Sequence, residues 1–104
     1  MTEQQLKQTL ETSGLDFAYR RWLEEHDLPF GLFYFTKSNS FAADGIAYSR
    51  SDRYVVELYT ENKQPEIEAA LETALTAAGI YWEKTGESYI EKEQMQFTTY
   101  EIEV

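Results

Sequence analysis

The first apolar positions along the chain follow helical spacing. Leu6 and Leu10 lie one helical turn apart, so both fall on the same face of a helix. Thr2 and Gln5 precede them with the spacing of a capping box, in which each side chain bonds the backbone N–H of the other residue. Gly14 supplies a residue that readily adopts the left-handed conformation of a helix end. The pattern therefore predicts a short N-terminal helix that ends near Gly14.

A longer helical stripe lies in the second half of the chain. Gln64 and Pro65 open it, because proline is favoured in the first turn of a helix. Glu66 and Glu68 follow where the helix dipole is positive, and Gly79 ends the stripe. The apolar positions in between are Ile67, Ala70, Leu71, Ala74, Leu75 and Ala78. The spacing predicts one long helix with a single apolar face and with both glutamates in solvent.

Several segments alternate between two faces in the way that a β-strand does. They are residues 16–20, 30–36, 53–60, 80–85 and 95–104. The first is ambiguous, because Tyr19, Trp22 and Leu23 also have helical spacing. A strand is preferred there, since Gly14 has just ended a helix.

The strands differ in which faces are apolar. Segment 30–36 is apolar on both, which predicts that the core covers one face and a helix or another subunit covers the other. In the last segment Tyr100, Ile102 and Val104 are predicted to face the core, while the two glutamates between them face outward. The connection between the last two strands is predicted over residues 86–94.

Small polar residues interrupt the alternation between Phe35 and Arg50, and this predicts a long loop. The element order is then helix, strand, strand, loop, strand, helix, strand, strand. Such an order predicts a single domain, residues 1–104, of the α+β class. We expect a mainly antiparallel sheet with one long helix packed across it and a short N-terminal helix.

The excess of acidic residues in the chain argues against partners that are themselves negatively charged. Nine basic residues stand against 19 acidic ones, a formal net charge of −10. A chain of this kind repels phosphate backbones, so specific nucleic-acid binding is not expected. Three explanations of this charge are open: it keeps the protein soluble, it forms an acidic wall that DNA slides past, or it makes the protein a mimic of DNA. Cysteine is absent, and no apolar run reaches the length of a membrane span, so we expect a soluble protein with no membrane partner.

No catalytic constellation is present in the sequence. His26 is the only histidine, and its acidic neighbours suggest a surface turn. The candidate carboxylate pairs are Glu24–Glu25, Glu66/Glu68, Glu91/Glu93 and Glu101/Glu103. They lie at a helix start, in turns or on the outward face of a strand, whereas a catalytic pair needs a cleft and a raised pKa. Calcium-loop and phosphate-loop motifs are also absent. We predict a protein that is not an enzyme and has neither cofactor nor metal.

Aromatic residues make up 15% of the chain. They could stack nucleic-acid bases, but that role needs basic neighbours. Arg20–Arg21 and Arg50/Arg53 are the only basic pairs. Core packing and a subunit interface are the better explanations for the aromatic surplus.

Several segments together resemble one family of small structural proteins. These are "GLDFAYRRW", "LPFGLFYF", "FAADGIAY", "RYVVELYTENKQPEIEAALETALTAAGI" and "MQFTTYEIEV". The chain resembles the tail-completion proteins, also called tail-terminator or head–tail joining proteins, of long-tailed phages and prophages of Gram-positive bacteria. "LEEHD" is more charged than expected before the strand "LPFG".

The resemblance implies a virion role without enzymatic residues. Such proteins cap the finished tail tube as a ring, typically of six subunits, and meet the tail-tube protein and the head–tail connector. It also implies a sheet with helices on one side and an extended loop or hairpin that reaches a neighbour. Segment 35–50 takes that place. The predicted contact residues are Ser38, Asn39, Ser40, Phe41, Asp44, Gly45, Tyr48 and Arg50.

Two other functions stay open at this point. An acidic DNA mimic would inhibit a host DNA-binding protein with carboxylates spaced like phosphates. A small enzyme or ligand-binding domain would need a deep pocket lined by convergent polar groups.

Overall fold

The computed structural model describes the backbone of residues 1–43 and 46–104, and the side chains of residues 1–38 and 51–104. Its elements are α1 Glu3–Glu11, β1 Phe17–Tyr19, β2 Phe30–Ala43, β3 Ile46–Thr60, α2 Pro65–Ala77, β4 Tyr81–Ile90 and β5 Met95–Glu103. The strands form one sheet in the order β1-β2-β3-β5-β4. Only the β1–β2 pair is parallel among these strands; the other pairs are antiparallel. The predicted α+β class is confirmed.

The helix ends form as their sequences predict. The backbone N–H of Gln5 donates to Thr2 Oγ1 at 3.1 Å, and the backbone N–H of Thr2 donates to Gln5 Oε1 at 2.9 Å, so the capping box is complete. Gly14 and Gly79 have φ values of +93° and +72°, which place both in the left-handed region that favours glycine. The bounds of both helices follow from these local signals.

The helices cover one face of the sheet. Phe33, Val56 and Tyr100 occupy paired positions on three adjacent strands, and their side chains are fully buried on this face. The buried cluster comprises Leu6, Leu10, Phe17, Phe33, Tyr54, Val56, Leu58, Leu71, Leu75, Ile80, Tyr100 and Ile102. The expectation of one long helix across the sheet holds in part. α2 is the longer helix, with 13 residues against nine, but α1 also contributes two leucines to the same core.

The opposite face of the sheet carries no helix of the described chain. Phe30, Leu32 and Tyr34 point to it and are half-buried. The core covers one face of this strand, as expected; of the two alternatives for the other face, no helix of the described residues lies there, and a covering subunit stays a prediction. We call this surface the open face.

The predicted loop at 35–50 is wrong. β2 continues to Ala43 and β3 begins at Ile46, and the two strands pair along this length, for example Ser40 with Arg50. A two-stranded ribbon needs no apolar face, because its backbone hydrogen bonds are independent of side-chain type. Its sequence therefore lacks the alternation that identifies a strand. Strand β4 is likewise longer than predicted, and the connection to β5 shortens to residues 91–94.

Candidate interaction surfaces

The paired strands β2 and β3 extend beyond the rest of the sheet. Asp52 is the point of departure, because its backbone N–H and C=O both bond to Val104, at 2.8 and 2.9 Å. Past it, the backbone of residues 38–43 and 46–51 pairs within this ribbon, which we call the arm. At about 3.3 Å per residue the arm is roughly 20 Å long. The whole chain measures 52 × 26 × 23 Å.

The arm holds most of the predicted contact residues. Ser38 is exposed on β2, at the base of the arm. The backbone positions of Asn39, Ser40 and Phe41 lie on β2, and those of Tyr48 and Arg50 lie on β3. The predictions for Asp44 and Gly45 fall outside the described residues.

A row of aromatic rings crosses the open face at its other end. Phe30, Tyr59 and Phe97 occupy paired positions on β2, β3 and β5. Phe30 stacks on Tyr59 with ring centroids 5.2 Å apart, and Tyr59 stacks on Phe97 at 5.6 Å. The row is thus a continuous apolar surface over three strands, and it lies at the end of the sheet opposite the arm.

The segment between β1 and β2 folds back against this row. His26 and Trp22 stack in parallel with centroids 3.8 Å apart, and both rings meet Phe30 edge-on. His26 Nε2 also lies 3.2 Å from Asp16 Oδ2, and 29% of the histidine side chain is exposed. His26 thus keeps part of its side chain at the surface, as expected, but its ring is packed against Trp22 and Phe30. Its acidic sequence neighbours gave no sign of the stacking, which depends on tertiary contacts.

A groove opens between this segment and the turn that joins β4 to β5. Its volume is about 390 Å³. It is lined by Arg21, Trp22, Glu24, Glu25, His26, Leu28, Phe30, Leu32, Tyr59, Glu93 and Met95. A neighbouring cavity of about 500 Å³ shares Glu25 and Glu93 with it and adds Asp27 and Glu61. Glu24 and Glu25 of the first acidic pair, and Glu93 of the pair Glu91/Glu93, thus contribute to the rim of an apolar groove.

Glu57 lies at the centre of the open face between two tyrosines. Tyr59 donates to Glu57 Oε1 at 3.0 Å, and Tyr34 lies at 3.5 Å from Oε2. Burial raises the pKa of Tyr59 to about 12, and the negative charge of Glu57 and the hydrogen bond add to the effect. The pKa of Tyr34 is raised by the same causes, in the same order. The Tyr59 phenol therefore stays neutral well above pH 10.

Glu68 forms an ion-pair network under α2. Lys84 Nζ lies 2.8 Å from its Oε1 and Lys63 Nζ 3.0 Å from its Oε2, while only 5% of the glutamate side chain is exposed. Burial raises the pKa of Glu68, but the hydrogen bonds and charges of Lys84 and Lys63 outweigh it, so the net pKa is lowered. The expectation of a solvated Glu68 is wrong, because β4 brings Lys84 under the first turns of the helix.

Glu72 extends this network. Its Oε2 lies 2.9 Å from Lys84 Nζ and accepts a hydrogen bond of 2.8 Å from the Tyr100 hydroxyl. Burial and this hydrogen bond raise the pKa of Tyr100. These contacts join α2 to β4 and β5, so a contribution to the stability of the fold explains why the network is present.

The described part of the chain contains no group of three or more His, Cys, Asp or Glu arranged to hold a metal ion. Among its helices, none is both long and apolar enough to cross a membrane. No protein-family model and no curated protein matches the sequence. The arm and the open face are therefore the two features on which a function can be argued.

Proposed function

We propose that this protein is a non-enzymatic structural component of a long-tailed phage or prophage, which caps the tail tube and joins it to the head. Copies of the chain would form a ring, typically of six subunits in the proteins that it resembles. Its other partners would be the tail-tube protein and the head–tail connector protein. The observation that carries the proposal is the arm, a two-stranded ribbon outside the core.

The arm has the properties of an element that contacts a neighbour. Within the described residues neither strand of the arm has a further strand beside it, since β3 bonds to the end of β5 only as far as Asp52 and β1 pairs with β2 only as far as Phe33. Such edges readily pair with another chain. The outer edge of β4 is also without a partner strand in the described chain. An arm on one copy and a different surface on the next make a head-to-tail contact, which closes into a ring when the rotation permits.

The acidity of the chain supports the same role. DNA passes through a ring at the head–tail joint, and the net charge of −10 disfavours adhesion of the phosphate backbone. The protein would thus surround DNA without binding it specifically. Its location would be the virion, at the interface between head and tail.

Deletion of the gene from its parent phage or prophage tests the proposal. Electron microscopy of the induced lysate is expected to show filled heads beside detached tails, or tails of uncontrolled length. Restoration of the intact gene in trans should return normal particles. Normal infectious particles from the deletion strain would overturn the proposal. The acidic DNA mimic would then be tested by capture of a basic DNA-binding host protein.

A further inference from the structure

We propose that the groove on the open face binds an extended basic segment of another protein. The segment would insert a side chain with an aliphatic stem and a cationic head, arginine or lysine, between apolar residues. The proposal concerns the end of the sheet opposite the arm and does not depend on the tail role.

The floor of the groove suits the aliphatic part of such a segment. Phe30, Leu32, Tyr59 and Met95 line it and are each half-buried, so apolar surface remains open to solvent. Long basic side chains pack their methylene stems on apolar surface while the charged head stays in water. Covering these residues would remove apolar area from water, which favours binding.

The rim of the groove suits the cationic part. Glu24, Glu25 and Glu93 are exposed carboxylates that line the groove, and the neighbouring cavity adds the exposed carboxylates of Asp27 and Glu61. None of these forms an ion pair within residues 1–38 and 51–104. By contrast, Glu68 and Glu72 under α2 have lysine partners in the chain itself. Among the described residues that line the groove, Arg21 is the one arginine or lysine. A cationic segment would therefore meet uncompensated negative charge at the edge of an apolar surface.

The carboxylates at the rim favour a basic partner at this groove over the same groove of a second copy. Two copies that met groove to groove would bring their rim carboxylates together, whereas a basic segment is attracted to them. Complementary charge also accelerates encounter and selects against acidic partners. The occupant is thus a basic segment of a different protein.

Fluorescence of Trp22 reports occupancy directly. The chain has two tryptophans, and Trp82 lies on the helix-covered face with its indole N–H donating to Thr76 Oγ1. A Trp82→Phe background leaves Trp22 as the single indole. The probe is the synthetic peptide Ac-Gly-Leu-Arg-Leu-Arg-Leu-Gly-amide, with analogues that carry Gln or Glu in place of Arg. The Arg peptide should shift Trp22 emission and the amide NMR signals around the groove, and added salt should weaken it.

A matched pair of variants separates the groove from net charge. Glu25→Gln/Glu93→Gln removes two rim carboxylates, and Glu3→Gln/Glu66→Gln removes two exposed carboxylates elsewhere. The first should weaken the Arg peptide about fivefold to tenfold, as expected for the loss of two exposed ion pairs. The second should change affinity less than about twofold on the same scale. Unchanged melting temperatures would show that both variants fold.

Four results would overturn the proposal. The Arg peptide could leave Trp22 and the groove amides unmoved. The Gln or Glu analogue could bind as tightly as the Arg peptide. Both double variants could weaken binding equally. Finally, the Trp22 signal could change with protein concentration alone, which would assign the groove to a second copy of the chain.

Discussion

Phe17 and Gly31 fit together so closely that a Cβ atom on Gly31 would lie 2.1 Å from Cε2 of Phe17. The two residues are partners in the parallel pairing of β1 with β2, and Phe17 is fully buried. β1 has only three residues, so few other contacts can hold it. The space left by the missing side chain of Gly31 is therefore where the Phe17 ring packs, and it attaches the edge strand to the core.

Gly31→Ala should destabilise the protein. The new methyl group would overlap the buried ring, and overpacking of this kind costs about 1–3 kcal/mol. The change is measured as the free energy of unfolding in urea. Gly86→Ala is the control, because its Cβ would meet only Thr99 Oγ1, at an ordinary 3.5 Å. Equal losses for the two variants would contradict the packing argument.

Glu68→Gln should also destabilise the protein, by roughly 1–2 kcal/mol for the loss of charged hydrogen bonds. The low end is expected, because 37% of the Lys84 and 48% of the Lys63 side chain is exposed and solvent screens the pairs. Glu66→Gln is the control, because Glu66 lies two residues earlier on the same helix and is exposed; it should have little effect on the free energy of unfolding. The same urea titration distinguishes them. A null result for Glu68→Gln would show that the network adds nothing to stability.

The contribution of Glu68 should depend on pH. Its pKa is lowered in the folded state, so its stabilisation is present above the ordinary value of 4.5 and is lost as pH falls through the lower folded pKa. The difference in unfolding free energy between the parent protein and Glu68→Gln should be constant from pH 7 to pH 5.5 and shrink in acid, on the pKa scale of a glutamate. If the difference in unfolding free energy between the two proteins stayed constant into strong acid, the ionised Glu68 carboxylate would not be the source of the stabilisation.

Tyr59 should ionise late in an alkaline titration followed by phenolate absorbance. Its pKa of about 12 lies above the ordinary 10.0, so the stability linked to it is present below pH 10.0 and is lost as pH rises through about 12. Tyr59→Phe should remove one late-titrating phenol. Glu57→Gln should lower the pKa of Tyr59 only partly, because burial is the larger cause. An unchanged late phase in Tyr59→Phe would contradict this.

Shortening the arm should separate folding from assembly. Replacing residues 40–50 with Asn-Gly joins Asn39 to Ser51, which are paired, through a two-residue turn that hairpins favour. Ser51 then keeps its 2.6 Å hydrogen bond to Glu103. The melting temperature should stay within a few degrees, since the shortened part lies outside the core. The variant should nevertheless fail to restore normal particles in a deletion strain, and full rescue would contradict a role for the arm.

The parts of the fold that the sequence predicts are those set by local rules. Thr2 and Gln5 form a capping box wherever a helix follows, and Gly79 ends a helix with a conformation that few other residues adopt. The alternation in β5 predicts Tyr100 and Ile102 in the core because the core covers only one face. Each of these signals depends on residues near in sequence.

The parts that sequence reasoning missed depend on distant contacts. The sequence of the arm shows no alternation of apolar and polar residues, and its strands form because two chain segments pair through their backbones. Glu68 is buried only because Lys84 arrives from β4 to compensate its charge. The stacking of His26 on Trp22 likewise depends on the fold, because the segment between β1 and β2 packs against Phe30. No local pattern in the sequence marks any of them.

The location of the protein in the particle tests the central claim most directly. A short affinity tag at the exposed Met1 allows gold labelling of the chain in a complemented deletion strain, viewed by electron microscopy. We expect label at the joint between head and tail in whole particles, and at the head-proximal end of free tails. Particles without label, or label distributed along the tail, would contradict the central claim.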